Sequence, residues 1–391
     1  MSKLKLPDPG FVFWAVGCGD STTVVVTKDT IVQIDIHHVA DAEKDDDPRV
    51  PIVDRLIELL PKKNGQPYLA AFGATHLDED HVQGFADLLD RVVIGDLWFT
   101  PRILWEQKQD DQAELCADAE AFAKEAERRI ELMKKQGAVG SGDRIRIIGY
   151  HDVLEEHSDI YKDLPEAAVT VPGSTFTHID GKDESERFSA FVHAPFKDDT
   201  EGERNDTSFA LQVTLSDGES DGRALLLGDL SYPTLKRIFD RSKKKHLAWG
   251  AFLAPHHCSK SAMYWKGEGE TEEKLKRGIL DAIEDAKDEG GYIISSSIKI
   301  PASDEKGANP PHAKAAKRYR ELVDDGHFLC TAEYPSESSP EPIVFELGDD
   351  GLVLRATEAK STESAARLAQ AVESARGTAA PAVQPVGFGR E

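Results

Sequence analysis

Strand-length runs of apolar, β-branched and aromatic residues recur along the chain in two groups, each interleaved with segments of helical periodicity. The first group covers residues 11–16, 22–27, 30–36, 68–73 and 92–99. The second covers residues 188–194, 208–215, 224–227, 248–253 and 292–296, with short runs at 328–332, 343–347 and 352–355. Glycine, aspartate and proline break these runs, as turns require. Helical patterns fall at residues 52–60, 83–89, 231–241, 271–288 and 311–323, and a stretch rich in Ala, Glu, Lys and Arg at 110–136 predicts one long amphipathic helix. Two groups of strands with helices between them predict an α/β chain in which two sheets lie sandwiched between helices. Residues 137–185 are less regular, so 100–187 is expected to be an insertion carrying the long helix. The folded domain is expected to span 1–355, and 356–391 to form an Ala/Ser/Pro-rich tail, disordered over 380–391, with 368–372 on a short helix.

Composition narrows the function. No apolar run approaches the roughly 20 residues that cross a bilayer, and the first ten residues lack the apolar stretch of a signal peptide. The four cysteines, Cys18, Cys116, Cys258 and Cys330, form no CxxC pair, so free thiols and a cytoplasmic location are expected. The net charge of −24 argues against tight nonspecific binding of duplex nucleic acid. It remains compatible with a phosphate substrate if metal ions and a few local cations neutralise the charge. The basic residues form only short clusters, such as Arg241 to Lys245.

The densest chemical signal is His76-Leu-Asp78-Glu-Asp80-His81, in a loop directly after a short buried strand. Four potential ligands within six residues cannot make a hydrophobic face, whereas a loop can turn them toward one centre. Imidazole nitrogen and carboxylate oxygen suit zinc, manganese or iron. The plainer alternative is a solvated acidic turn.

This segment resembles the HxHxDH signature of the metallo-β-lactamase superfamily, with Asp78 where the second histidine usually stands. The HxDxDH form resembles the soluble hydrolase domain of ComEC-type DNA-uptake proteins. Further segments match in the same order. Val16-Gly-Cys-Gly-Asp20-Ser21 resembles the opening VGQGDS turn, and Ile34-Asp35 the aspartate that follows it. Asn205-Asp-Thr-Ser208 resembles an Asn-x-x-Ser element before a strand, and Leu226-Leu-Gly-Asp229 the LLTGD element. Pro255-His256-His257-Cys258-Ser259 resembles PHHGS, and Asn309-Pro-Pro-His312 a late Asn…His-Pro element. The resemblance covers residues 11 to about 330. It implies a four-layer αββα sandwich and a hydrolase holding one or two divalent ions, Zn²⁺ or Mn²⁺.

The resemblance also implies roles. His76, Asp78, Asp80, His81, Asp229 and one or both of His256 and His257 are the expected metal ligands, with Asp229 bridging two ions. Asp78, Asp80, Asp229 and His257 are the expected catalytic groups, acting through a metal-bound hydroxide, with Asp78 as proton acceptor if only one ion binds. Asn205, Ser259, Asn309 and His312 are expected near the substrate. Asp20 and Asp35 are expected to orient the metal loop or shape turns, Cys18 to be structural, and His37 and His38 to be surface or packing residues. His193 lies in the region where the superfamily carries a further metal histidine. Cys258 stands where the family has glycine and is expected to narrow the pocket or alter a turn.

The substrate class implied is a phosphodiester, in single-stranded nucleic acid or a nucleotide. Two alternatives stay open: a small-molecule ester, lactone or amide hydrolase, which would have an apolar pocket, and a partner-binding subunit acting through the long helix or the tail. Fold membership alone cannot choose among them.

Overall fold

The computed structural model describes residues 4–109, 115–199 and 205–356. Residues 357–391 of the expected tail, and 110–114 of the expected long helix, lie outside the described residues. Leu4–Arg355 forms one compact unit.

The first sheet has ten strands. From one edge its path runs Gly351–Leu354, Ile343–Gly348, Gly10–Phe13, Thr22–Thr27, Thr30–Ile34, Gln66–Gly73, Val93–Phe99, Arg144–Ile148 and Val169–Thr170, with Lys62–Lys63 pairing alongside Gln66–Gly73. Pairing is antiparallel as far as Thr30–Ile34, then parallel. The second sheet has seven strands, in the order Phe328–Cys330, Lys287–Ser295, Trp249–Leu253, Asp221–Leu226, Ala210–Ser216, Phe188–Ala194 and Thr175–Phe176. Its first four strands are mutually parallel and the rest antiparallel.

Side chains alternate between the two faces of a strand, and here both faces are buried. Phe11, Phe13, Val24 and Val26 of the first sheet meet Leu211, Val213, Leu226 and Leu253 of the second in one core. Their neighbours Val12 and Val25 point the other way, under the helices Ile52–Leu59, Phe85–Arg91 and Ala117–Gln136. Leu225, Leu227 and Phe252 likewise pack under the helices Tyr232–Arg241, Arg277–Asp285 and Ala313–Arg320. Three apolar layers between four layers of structure make the αββα sandwich that the resemblance implies. Burial on both faces also explains why these strands read as continuous apolar runs rather than alternating ones.

The stretch expected to be an insertion is built into the sandwich. Arg144–Ile148 and Val169–Thr170 extend the first sheet, and Thr175–Phe176 lies at the edge of the second. The long helix spans Ala117–Gln136 and stops at Gly137, whose φ of +74° a side chain would resist. Its stripe of Ala119, Phe122, Ala123, Ala126, Ile130 and Met133 is buried against the first sheet, so its apolar face already has a partner within the domain. Arg129 lies in the same stripe, 1% exposed. Its Nη2 donates to Ile94 O and its Nη1 to Arg144 O, each at 3.0 Å, while Glu125 Oε1 accepts from its Nε at 2.6 Å. The helix expected at 271–288 is shorter: Lys274–Leu275 forms a small strand, and Lys287–Ser295 belongs to the sheet. Among the described residues no helix is long and apolar enough to cross a membrane.

Candidate metal centre

Every parallel strand near the middle of the two sheets delivers a polar residue just past its carboxyl end, where open α/β sheets present functional groups. Asp35 follows Thr30–Ile34, and Thr75 to His81 follow Gln66–Gly73. Asp229 follows Asp221–Leu226, His256 and His257 follow Trp249–Leu253, and Ser296 follows Lys287–Ser295. Backbone hydrogen bonds tie these loops together: Ile36 N to His81 O at 2.9 Å, Asp20 N to Asp80 O at 3.1 Å, and His256 N to Gly228 O at 3.1 Å.

One cluster lies at the seam. Asp20, His81, Asp229 and His257 are all buried, and each offers an atom within 4.8 Å of the others. His81 Nε2 lies 3.2 Å from Asp229 Oδ1, and His257 Nε2 lies 2.9 Å from Asp80 Oδ2 and 3.6 Å from Asp229 Oδ2. A second group borders Asp229. His76 Nε2 is 3.5 Å from Asp78 Oδ2 and 4.0 Å from Asp229 Oδ2, and His256 Nε2 is 3.7 Å from Asp229 Oδ2. Ligands bonded at about 2.0–2.1 Å in a tetrahedron stand about 3.3 Å apart, and these separations bracket that value.

Hydrogen bonding gives the sharper fit test. The Nε2 atoms of His76, His81 and His257, together with Asp229 Oδ1, are buried and form no well-aligned hydrogen bond, and they face one another and the Asp78 and Asp80 carboxylates. Buried polar atoms are ordinarily satisfied, and four such atoms turned toward one another suit a divalent cation. The opposite nitrogens are held. Asp35 Oδ2 meets His81 Nδ1 at 2.9 Å and accepts from Thr75 Oγ1 at 2.8 Å, while Asp35 Oδ1 accepts from Thr75 N at 2.7 Å. His257 Nδ1 lies 3.2 Å from Ser296 O and 3.3 Å from Asp20 Oδ1. His76 Nδ1 lies 3.1 Å from Thr75 Oγ1 and 3.2 Å from Ser208 Oγ. Such outer contacts fix the tautomer and aim Nε2 inward.

The charges are strongly coupled. Burial works against protonation of His81 and His257, but the carboxylates outweigh it: Asp229, Asp35 and Asp80 around His81, and Asp229, Asp20 and Asp80 around His257. Both imidazoles are held well above their usual range. Burial disfavours the Asp229 charge, yet His81 and His257 hold that carboxylate well below its usual range. His256, partly exposed, is pushed down chiefly by burial.

The backbone at 256–258 is unusual. His256, His257 and Cys258 all have positive φ, at +49°, +52° and +66°. Three consecutive left-handed residues other than glycine are strained. This turn carries His257 inward and leaves His256 at the rim. Cys258 thus occupies a conformation suited to glycine, with its thiol buried in the outer core.

The expected site residues divide. The structure brings His76, Asp78, Asp80, His81, Asp229, His256 and His257 to one place and adds Asp20 to the cluster. Of the residues expected near the substrate, His312 is committed elsewhere: its Nδ1 accepts from Lys260 N at 3.2 Å and its Nε2 meets Ala308 O at 3.1 Å. Ser259 Oγ caps a short turn by accepting from Ser261 N at 3.2 Å. Asn309 is exposed and Asn205 half-buried. His193 lies in an outer cleft, its ring held by Ser242 Oγ and His246 O. Thr75, Ser208 and Ser296 support the histidines without having been given that role from the sequence, and His37, expected as a surface or packing residue, is buried beside them. Burial lowers His37 to about 4, and it lies beside Asp80 and His257. The signals that could have pointed to them are the place of Thr75 directly before His76 and of Ser208 within its matched element.

A four-layer αββα sandwich with a His/Asp centre at the carboxyl ends of its strands is the class this chain presents. No protein-family model matches the sequence, and no curated protein matches it. Among solved structures, it is similar to Zn²⁺-bound PqqB from Methylobacterium extorquens, at TM-score 0.30 and 11% identity, covering 60% of this chain and 58% of that one. It is similar also to BJP-1, a subclass B3 metallo-β-lactamase of Bradyrhizobium japonicum, at TM-score 0.32 and 14% identity over 72% and 88% of the two chains. The Rm3 metallo-β-lactamase matches at TM-score 0.31 and 12% identity over 95% and 94%.

Proposed function

We propose that this chain is a metal-dependent hydrolase that cleaves phosphodiester bonds. The observation that carries the hydrolase reading is the set of four unsatisfied donor atoms at the seam, each histidine oriented from behind. His81, Asp229 and His257, with Asp80, would hold one ion. His76 and Asp78 would hold a second, with Asp229 between the two. Zn²⁺ and Mn²⁺ both suit this mixture of imidazole and carboxylate. A divalent ion bound there supplies a water of lowered pKa and stabilises charge on the attacked centre.

The protein's own groups do the rest. Asp35, Asp20, Ser208 and Thr75 keep the imidazoles aimed inward. If only one ion binds, Asp78, a third exposed at its side chain, is instead placed to take a proton at Oδ2. His256 at the rim, lowered by burial, is a neutral donor for a substrate oxygen near neutral pH. Support for a phosphodiester comes from the HxDxDH form of the loop from His76 to His81, which resembles that of the ComEC-type hydrolase domains.

The test uses metal-stripped protein resupplied with Mn²⁺ or Zn²⁺, acting on bis-p-nitrophenyl phosphate and labelled single-stranded DNA, with Asp80→Ala and Asp229→Ala as controls. Turnover that both variants lose supports the reading. Stoichiometric metal binding without turnover on either substrate would remove the phosphodiester assignment and favour a carboxylic ester or amide.

A further inference from the structure

A second cleft, of about 360 Å³, opens where the strand Phe188–Ala194 meets the far end of the helix Tyr232–Arg241. That helix begins just after Asp229, and its ten residues at about 1.5 Å each set the cleft about 15 Å along it from the metal centre. The volume falls within the range of small-molecule pockets, about 300–1,000 Å³.

Two features of the cleft stand together. Its lining is aromatic: Tyr150, Phe191, His193, Phe196 and His246 are five of eleven lining residues. Phe191 and His246 stack at 3.8 Å between centroids and 13° between planes. Its rim is cationic: Arg241 and Lys243 both line it, both are exposed, and neither pairs with a carboxylate among the described residues. Arg241 instead lies 5.3 Å from the Phe196 ring centroid. The nearby carboxylates are engaged, Asp199 with Arg237 at 2.5 Å and Asp152 with Lys197.

The wall is preformed. His193 Nδ1 lies 2.9 Å from Ser242 Oγ and its Nε2 2.9 Å from His246 O, joining the strand to the loop that carries the cations. In a chain of net charge −24, four cations in the five residues from Arg241 to Lys245 gather positive charge at this rim. An uncompensated cationic rim beside stacked rings matches a phosphate attached to a planar base.

We propose that this cleft binds a nucleotide, its phosphate on Arg241 and Lys243 and its base against the aromatic lining. The inference does not depend on the catalytic reading, since it concerns binding at a separate place. The nucleotide is either free or one unit of a single strand, and the two sources share this chemistry.

The test titrates a fluorescent anthraniloyl derivative of AMP into the metal-free full-length Asp229→Ala protein, which disables the metal centre. AMP, inorganic phosphate, adenosine and a single-stranded hexanucleotide serve as competitors. Binding is expected, and Arg241→Glu/Lys243→Glu, both changes on the surface, should weaken it about tenfold or more. Phosphate and adenosine alone should each compete at least about tenfold less well than AMP. Stronger competition by the hexanucleotide than by AMP would assign the cleft to strands, and the reverse to free nucleotides. No binding at millimolar probe, unchanged affinity in the charge-reversed variant, or phosphate competing as well as AMP would overturn the proposal.

Discussion

Asp35→Asn tests the metal centre without touching any of the atoms proposed to bind metal. The carboxylate accepts from Thr75 N at 2.7 Å and Thr75 Oγ1 at 2.8 Å, and it holds His81 Nδ1 at 2.9 Å. The amide oxygen of asparagine can keep the bond from Thr75 N. Its NH₂ group then faces His81, so Nδ1 must become an acceptor. A neutral imidazole that accepts at Nδ1 carries its proton at Nε2, the atom 3.2 Å from Asp229 Oδ1. That tautomer cannot ligate. Loss of an orienting partner of this kind typically costs about 10- to 100-fold in metal affinity, or about 1.4–2.7 kcal/mol. Competition with a chromophoric chelator for Zn²⁺ and Mn²⁺ reads the affinity directly, and near-ultraviolet circular dichroism reports whether the core is intact. Wild-type affinity in a folded Asp35→Asn protein would refute the argument that His81 Nε2 is a ligand.

Three further perturbations test other parts of the structure. In Gly19→Ala the new Cβ would fall 2.2 Å from His37 Nδ1 and 2.7 Å from Asp80 O; overpacking of about 1–3 kcal/mol is expected, together with weaker metal binding, and urea denaturation with unchanged stability would contradict the tight approach. Arg129→Met keeps the aliphatic stem but strips Ile94 O and Arg144 O of their donor and leaves Glu125 with Arg128 alone; a loss of about 3 kcal/mol is expected, and a loss under about 1 kcal/mol would show the guanidinium to be dispensable. His193 is lowered from 6.5 to about 4 chiefly by burial. The unfolded chain therefore takes up a proton first as the pH falls, and about 3 kcal/mol of stability, complete above pH 6.5, is lost on descent toward pH 4. Urea denaturation at pH 7.5 and 4.5 should show a smaller drop for His193→Gln than for wild type, and equal drops would refute the assignment.

Much of the fold was legible because the strands that form its centre are buried on both faces. The run 22–27 is all Thr and Val and the run 248–253 is apolar apart from one Gly, and strands form there at Thr22–Thr27 and Trp249–Leu253. The strands within 137–185 are hard to read because Val169–Thr170 and Thr175–Phe176 have two residues each, too few for a periodic signal, and Arg144–Ile148 carries two arginines. The 271–288 helix was drawn too long because Lys287–Ser295 begins with charged residues that read as helix surface. At the centre, the residues proposed as ligands were visible because His76, Asp80, Asp229 and His257 lie in short motifs. The distinction between His256 and His257 was not visible, since it depends on a left-handed turn that no side chain in Pro255-His-His-Cys258 announces. The partners of the His312 ring were not visible either: a histidine before a helix looks the same in sequence whether its ring faces a ligand or holds a backbone carbonyl.

His81 belongs to the first sheet's loops and Asp229 and His257 to the second's, so the proposed ligands come from opposite halves of the sandwich. Neither half alone can present more than a fragment of the donor set, and an ion held there would fasten the two sheets to each other as a removable rivet. Its binding free energy would then favour only the closed sandwich, by about 4 kcal/mol at a thousandfold excess over its dissociation constant. Chelation should accordingly lower one cooperative melting transition for both sheets together instead of loosening a single loop.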